Sequence, residues 1–240
     1  MHEEFARSQA FFGGEAMQKL YNAKVALFGV GGVGGWCAEA LARSGVGAID
    51  LYDGDTVSLS NINRQLVALR STVGRSKTAV AAERIGDINP ACRVRAFDVF
   101  IDENTFPGVD IKAYDCVLDA VDTVSAKVLI ISRCIEEKVP VISCMGAGNK
   151  LDITAFRVAD ISKTTVCPLA RAVRSALKKR GIYRGVKAVF STEQPSGSIV
   201  EEDGSSRHIP ASNVFAPAAA GLMLAREAVL SIISGGAADD

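Results

Sequence analysis

The segment Gly29-Val30-Gly31-Gly32-Val33-Gly34 has the G-x-G-x-x-G spacing that brings peptide N–H groups up against a phosphate. Glycines let the backbone approach the anion. The unpaired N–H groups at the start of the helix that follows favour its charge. Asp53 lies about twenty residues further on, at the end of the next apolar run, where an acid usually holds ribose hydroxyls. These residues alone specify an adenine nucleotide. NAD, FAD and ATP would all satisfy them.

The next stretch separates the three. It carries Asp53-Gly54-Asp55, then Ser60-Asn61-Ile62-Asn63-Arg64-Gln65, then Gly74-Arg75-Ser76-Lys77. The pyrophosphate of a dinucleotide is largely satisfied by a glycine loop and a helix end. Cleaving a triphosphate develops further charge, which fixed cations stabilise as it forms. Arg64 offers a planar fork and Lys77 a point charge. Asp119 and Asp122 end a later strand, at the carboxyl edge where such sheets bind ligands. A carboxylate there can hold Mg²⁺ on the phosphates. Each of these charges taken singly is more often a solvated loop residue. Their concentration on one expected edge favours an ATP site.

The elements that must position them alternate. Short apolar runs at Lys24–Val30, Ala48–Tyr52, Val94–Phe97, Cys116–Ala120 and Val139–Ser143 are predicted strands. Between them, Gly34–Ser44, Arg75–Ile88 and Val124–Glu137 have helical spacing. The order predicts an α/β, Rossmann-like, mostly parallel sheet with helices on both faces. After Gly146-Ala147-Gly148-Asn149 come a strand at Ala155–Ala159, a helix at Leu169–Arg180, a strand at Lys187–Ser191 and a final helix after Pro217, so the C-terminal half extends the sheet. We read residues 1–240 as one unit. Residues 1–150 form the nucleotide-binding core, 151–240 an extension that shapes the substrate site, and residues near 194–212, rich in Pro, Gly, Ser and charge, a mobile loop.

Composition narrows the classes. With 240 residues and 48% hydrophobic content the chain can bury one large core. Its 27 basic and 27 acidic residues balance, so net charge points to no partner. The cysteines (Cys37, Cys92, Cys116, Cys134, Cys144 and Cys167) include no C-x-x-C pair, which argues against a zinc site. The N-terminus lacks the pattern of a signal peptide, and Arg226 and Glu227 interrupt the apolar stretch 216–233. The expectation is a soluble cytoplasmic protein with no integral membrane segment.

The combined signature resembles the ThiF/MoeB/ubiquitin-activating-enzyme superfamily of ATP-dependent adenylating enzymes. It comprises Gly29-x-Gly31-Gly32-x-Gly34, Asp53-x-Asp55, Ser60-Asn61-x-Asn63-Arg64-Gln65, Gly74-x-x-Lys77 and Asp119-x-x-Asp122, in matching order over about half the chain. The resemblance implies that Asp53 binds the ribose, that Asn61, Arg64 and Lys77 bind and polarise the phosphates, and that Asp122 faces Mg²⁺. Arg7, in Glu4-Phe5-Ala6-Arg7-Ser8-Gln9, resembles the family's arginine that reaches into the partner's ATP site, which implies a homodimer. Within the superfamily the likeness is closest to the tRNA threonylcarbamoyladenosine dehydratase family. It is carried by Phe5-Ala6-Arg7-Ser8, Gly146-Ala147-Gly148-Asn149-Lys150-Leu151-Asp152, Ala159-Asp160-Ile161-Ser162-Lys163-Thr164, Pro168-Leu169-Ala170-Arg171 and Val189-Phe190-Ser191-Thr192-Glu193. That likeness implies ATP-dependent ring closure on a tRNA adenosine through an acyl-adenylate, a cysteine desulfurase and a sulfur-acceptor protein as partners, no zinc, and in some members a monovalent cation, Na⁺ or K⁺.

A tRNA substrate agrees with a local feature. Between Ile161 and Thr192 there is no acid, while Arg171, Arg174, Lys178, Lys179, Arg180 and Arg184 crowd one segment with Tyr183 among them. Such clusters bind phosphate backbones, and a tyrosine can stack on a base. The alternative is a solvated helix face. Cys167, before Pro168 at a helix start, is the one candidate enzyme nucleophile; the other reading is a packed thiol. Three further functions compete: an activator of a ubiquitin-like sulfur-carrier protein, a nucleotide-sensing module without chemistry, and an NAD dehydrogenase. The absent zinc cysteines and the basic segment count against the first. Arg64, Lys77 and Asp122 count against the other two.

Overall fold

The computed structural model describes residues 3–196, 199–201 and 208–235. Seven strands form one sheet: β1 (Lys24–Phe28), β2 (Ala48–Tyr52), β3 (Arg93–Phe97), β4 (Cys116–Asp119), β5 (Val141–Cys144), β6 (Phe156–Asp160) and β7 (Lys187–Ser191). Their order is β3-β2-β1-β4-β5-β7-β6, and every pairing is parallel except β6 with β7. Strands β2, β4 and β5 are buried along their whole length, because parallel strands covered on both faces need apolar residues on both sides.

Helices α2 (Gly14–Asn22), α3 (Gly34–Arg43), α4 (Lys77–Ile88) and α7 (Phe215–Ile233) contribute to the apolar cluster on one side of the sheet. Helices α5 (Val124–Glu137) and α6 (Pro168–Lys178) contribute to the other. On α6 the buried residues Ala170, Val173 and Leu177 recur at helical spacing, which turns the basic side chains outward. Helix α7 is long and apolar enough to cross a membrane by length and composition, and half of it is buried inside the protein, as in a packed helix.

The predicted strands and helices are present, with ends shifted by one or two residues in most cases. Two differences are larger. The N-terminal stretch, to which the sequence assigns no element, forms α1 (Ala6–Phe12) and α2. Ala16, Met17 and Leu20 of α2 are buried in the core, a short amphipathic signal that the sequence reading passed over. The segment 194–212 is more than a loop: β8 (Ile199–Glu201) pairs antiparallel with β9 (His208–Pro210), while 197–198 and 202–207 lie outside the described residues.

Candidate active site

β1 and β4 are neighbours whose chain connections leave in opposite directions, so a crevice opens at their carboxyl ends. The glycine loop fills the β1 side of it. Gly29 has φ of +87°, and a Cβ there would lie 2.8 Å from the Ala120 carbonyl. At Gly34 a Cβ would lie 1.8 Å from the Gly29 carbonyl oxygen, so the loop closes back on itself only without side chains. This turn delivers the start of α3 to the crevice, where a helix N-terminus favours an anion.

Asp53 holds the loop in place. Its Oδ2 accepts from the Val30 N–H at 2.6 Å and its Oδ1 from the Asp55 N–H at 2.9 Å. Burial pushes its carboxyl above the usual carboxylate range, and the two N–H bonds oppose that. Asp55 continues the chain of contacts: its Oδ2 accepts from Lys77 Nζ at 2.7 Å. Lys77 is only 4% exposed and opens α4, where Ser76 caps the helix by accepting from the Ala79 N–H. The ammonium is thus fixed on a rigid element within two residues of the acid that grips the loop.

The crossover segment supplies the second cation. Asn61 is buried and its Oδ1 accepts from the Ser58 N–H at 3.1 Å, which shapes the turn. Arg64 Nη1 donates to the Ser60 carbonyl and to Asn63 Oδ1, each at 2.9 Å, and has no carboxylate partner among the described residues. Its stem approaches the loop: a Cβ on Gly32 would lie 3.6 Å from Arg64 Cγ. A Cβ on Gly31 would lie 3.8 Å from Gln65 Nε2, and the buried Gln65 Oε1 has no hydrogen-bond partner among the described residues. The glycine loop, Asp53, Asp55, Asn61, Arg64, Gln65 and Lys77 therefore converge.

On the β4 side the two aspartates differ. Asp119 is fully buried; its Oδ2 accepts from Lys127 Nζ at 3.0 Å and from Ser143 Oγ at 2.5 Å, and its Oδ1 from the Val121 N–H at 3.1 Å. Lys127, also fully buried, donates at 2.6 Å to the Cys144 carbonyl as well. Asp119 is thus fully engaged, and of the two aspartates only Asp122 is free for a ligand. Asp122 is exposed and makes no hydrogen bond or ion pair among the described residues. Lys127 and Ser143 were missed by the sequence reading. The signal existed, because Lys127 shares a helical stripe with the buried Ile130, Ile131 and Cys134.

Other candidates lie elsewhere. Arg7 is exposed on α1 and joins no site residue through a hydrogen bond or ion pair among the described residues. Cys167 is 2% exposed and belongs to the apolar cluster on the α5–α6 side. A Cβ on Gly146 would lie 3.5 Å from its Sγ. Burial makes it a packed thiol in this conformation. Arg171, Lys178, Lys179, Arg180 and Arg184 are exposed with Tyr183. Arg174 departs from that group: it is half-buried and its Nη1 donates to the Thr164 carbonyl at 3.0 Å and to Thr164 Oγ1 at 2.5 Å, so it braces the turn before Cys167. Among the described residues no group of three or more His, Cys, Asp or Glu is placed to hold a metal ion.

Comparison with known proteins places this geometry. The family model described as "ThiF family" matches residues 5–238. A tRNA threonylcarbamoyladenosine dehydratase of Bacillus subtilis is 42% identical over 245 residues, covering 97% of this chain and 96% of that protein. The crystal structure of the E. coli tRNA N6-threonylcarbamoyladenosine dehydratase in complex with AMP superposes with a TM-score of 0.88 at 36% identity, over 98% of this chain and 96% of that one. The same E. coli enzyme in complex with ATP gives a TM-score of 0.86. The molybdopterin-synthase adenylyltransferase of E. coli is more distant, at 32% identity over 61% of this chain and 58% of that protein.

Proposed function

The chain belongs to the ThiF family, and we propose that it is a tRNA threonylcarbamoyladenosine dehydratase, which uses ATP to close a threonylcarbamoyl group on a tRNA adenosine with loss of water. The observation that carries this reading is the likeness to such dehydratases through almost the whole chain, including the C-terminal half. The adenylyltransferase likeness covers far less.

The chemistry assigned to this chain's residues is electrostatic. The glycine loop and the start of α3 take the phosphates, and Asp53 takes the ribose hydroxyls. The substrate carboxylate attacks the α-phosphorus and pyrophosphate leaves. Lys77 and Arg64 hold the charge that grows on the leaving group. The free carboxylate of Asp122 suits Mg²⁺: it would hold the ion together with phosphate oxygens and water, and the ion would neutralise phosphate charge. Arg7, exposed and unpaired among the described residues, is assigned to the ATP site of a second copy in a homodimer. An internal nucleophile of the threonylcarbamoyl group then closes on the activated carbonyl and AMP departs. Tethering makes this step fast without an enzyme nucleophile.

The direct test is the mass of nucleosides from threonylcarbamoylated tRNA incubated with the protein and ATP. The expected result is loss of one water. An unchanged mass, with pyrophosphate exchange that depends instead on a small ubiquitin-like protein, would move the chain to the sulfur-carrier activators. A second expectation concerns Cys167. Because its thiol is buried and ring closure needs no covalent enzyme intermediate, Cys167→Ser should turn over near the wild-type rate. AMP formation that persists in this variant while cyclisation stops would make Cys167 the acyl acceptor.

A further inference from the structure

A cavity of about 360 Å³ lies between α5 and α6, apart from the glycine loop. Its apolar wall comes from Val128 and Leu129 of α5 and Ala176 of α6. Lys179 and Arg180 line it at the end of α6, and Asp102 and Glu103 line it as well. The volume falls within the range of small-molecule sites. Val124 and Ser125 also line it, and Val124 is two residues from Asp122, a Cα path of at most about 7.6 Å. The cavity thus begins at the first turn of α5, the helix that follows Asp122 in the chain.

Its charges are unusual. Acids and bases share one cavity, yet Glu103, Lys179 and Arg180 make no side-chain hydrogen bond or ion pair among the described residues. Asp102 spends its Oδ1 on the Asn104 and Thr105 N–H groups, at 2.8 and 2.9 Å. The occupant that satisfies this set needs an apolar flat face, hydrogen-bond donors on one edge and an anion on the other. A simple anion satisfies only the cations, and a basic peptide only the acids. A nucleotide satisfies both: ring amino groups toward Asp102 and Glu103, phosphate toward Lys179 and Arg180, and the base face on the apolar wall. Tyr183, 62% exposed and three residues beyond Arg180, can stack the next base.

We propose that this cavity seats an unstacked nucleotide of the tRNA loop. The assignment rests on the function proposed above and adds where the RNA is held. Single-stranded loops are read in this way, with bases splayed out and stacked on protein.

The test uses the full-length protein and threonylcarbamoylated tRNA. Ala176→Trp fills the cavity and is expected to raise the KM for tRNA about tenfold or more, while the KM for ATP stays at the wild-type value. The double replacement Lys179→Ala with Arg180→Ala is expected to weaken tRNA binding and to flatten the log–log salt dependence by about 0.7, one phosphate contact to single-stranded RNA. A folded Ala176→Trp protein with wild-type KM for tRNA overturns the proposal while leaving the dehydratase reading intact. If that variant does not fold, an unchanged salt slope in the double variant overturns it instead. Wild-type protein that leaves the nucleoside mass unaltered sinks the dehydratase reading, and the cavity assignment falls with it.

Discussion

Lys77→Met is expected to slow ATP-dependent activation of the substrate carboxylate by about 10²- to 10³-fold, the usual effect of deleting one preorganised donor to a developing oxyanion. The substitution keeps the apolar stem that packs at the start of α4 and removes only the ammonium. Its acidic partner among the described residues, Asp55, has a half-exposed side chain and can be solvated when left alone, so the cost to stability is within about 1 kcal/mol. Activity and stability therefore separate. Release of pyrophosphate, followed against urea unfolding of the same preparation, reads both. A folded Lys77→Met protein that keeps more than a tenth of wild-type activity would exclude transition-state stabilisation at this position. Arg64 sharpens the argument because it has no carboxylate partner among the described residues. Arg64→Lys keeps charge and loses the planar fork, so it should fall between wild type and Arg64→Ala.

The parts of this site that could be read in the sequence are those set by local backbone demands or by residues close together in the chain. Gly29 and Gly34 announce themselves because a Cβ at either would collide with backbone. Asp53 follows from its position at the end of β2. Arg64 and Lys77 stand in a short segment that the sheet edge must carry to the crevice. What escaped the reading depends on long-range pairing. Asp119 reads as a carboxylate at the ligand-binding edge like Asp122, and only the structure shows β5 bringing Ser143 and α5 bringing Lys127 against it. The place of β6 beyond β7, at the sheet edge, has no local signature either, because strand order follows from packing rather than from any one segment's periodicity. Arg7 remains exposed on α1 in a single chain, so its assignment depends on a second copy.

The pairing of Asp119 with Lys127 carries the remaining large expectation. Both side chains are fully buried, so each charge depends on the other and on its hydrogen bonds for solvation. Lys127→Met fills nearly the same space but leaves a carboxylate buried with only Ser143 Oγ and the Val121 N–H as donors. Breaking one side of such a pair costs about 3–5 kcal/mol. In a domain of this size that lowers the melting temperature by about 6–20 °C. Removing both charges should cost less, because replacing a buried pair by uncharged groups is often near neutral. Lys127→Met with Asp119→Asn is thus expected to regain more than half of the loss, which urea midpoints at constant slope will show. A single variant within about 1 kcal/mol of wild type would mean that water reaches the pair and solvates Asp119. The consequence reaches the chemistry through one bond. Asp119 Oδ1 fixes the Val121 N–H, and Val121 precedes Asp122. Even below its melting temperature the single variant should therefore lose activity if Asp122 holds Mg²⁺ as proposed, and added Mg²⁺ should restore part of it, whereas a purely structural pair would lower stability alone.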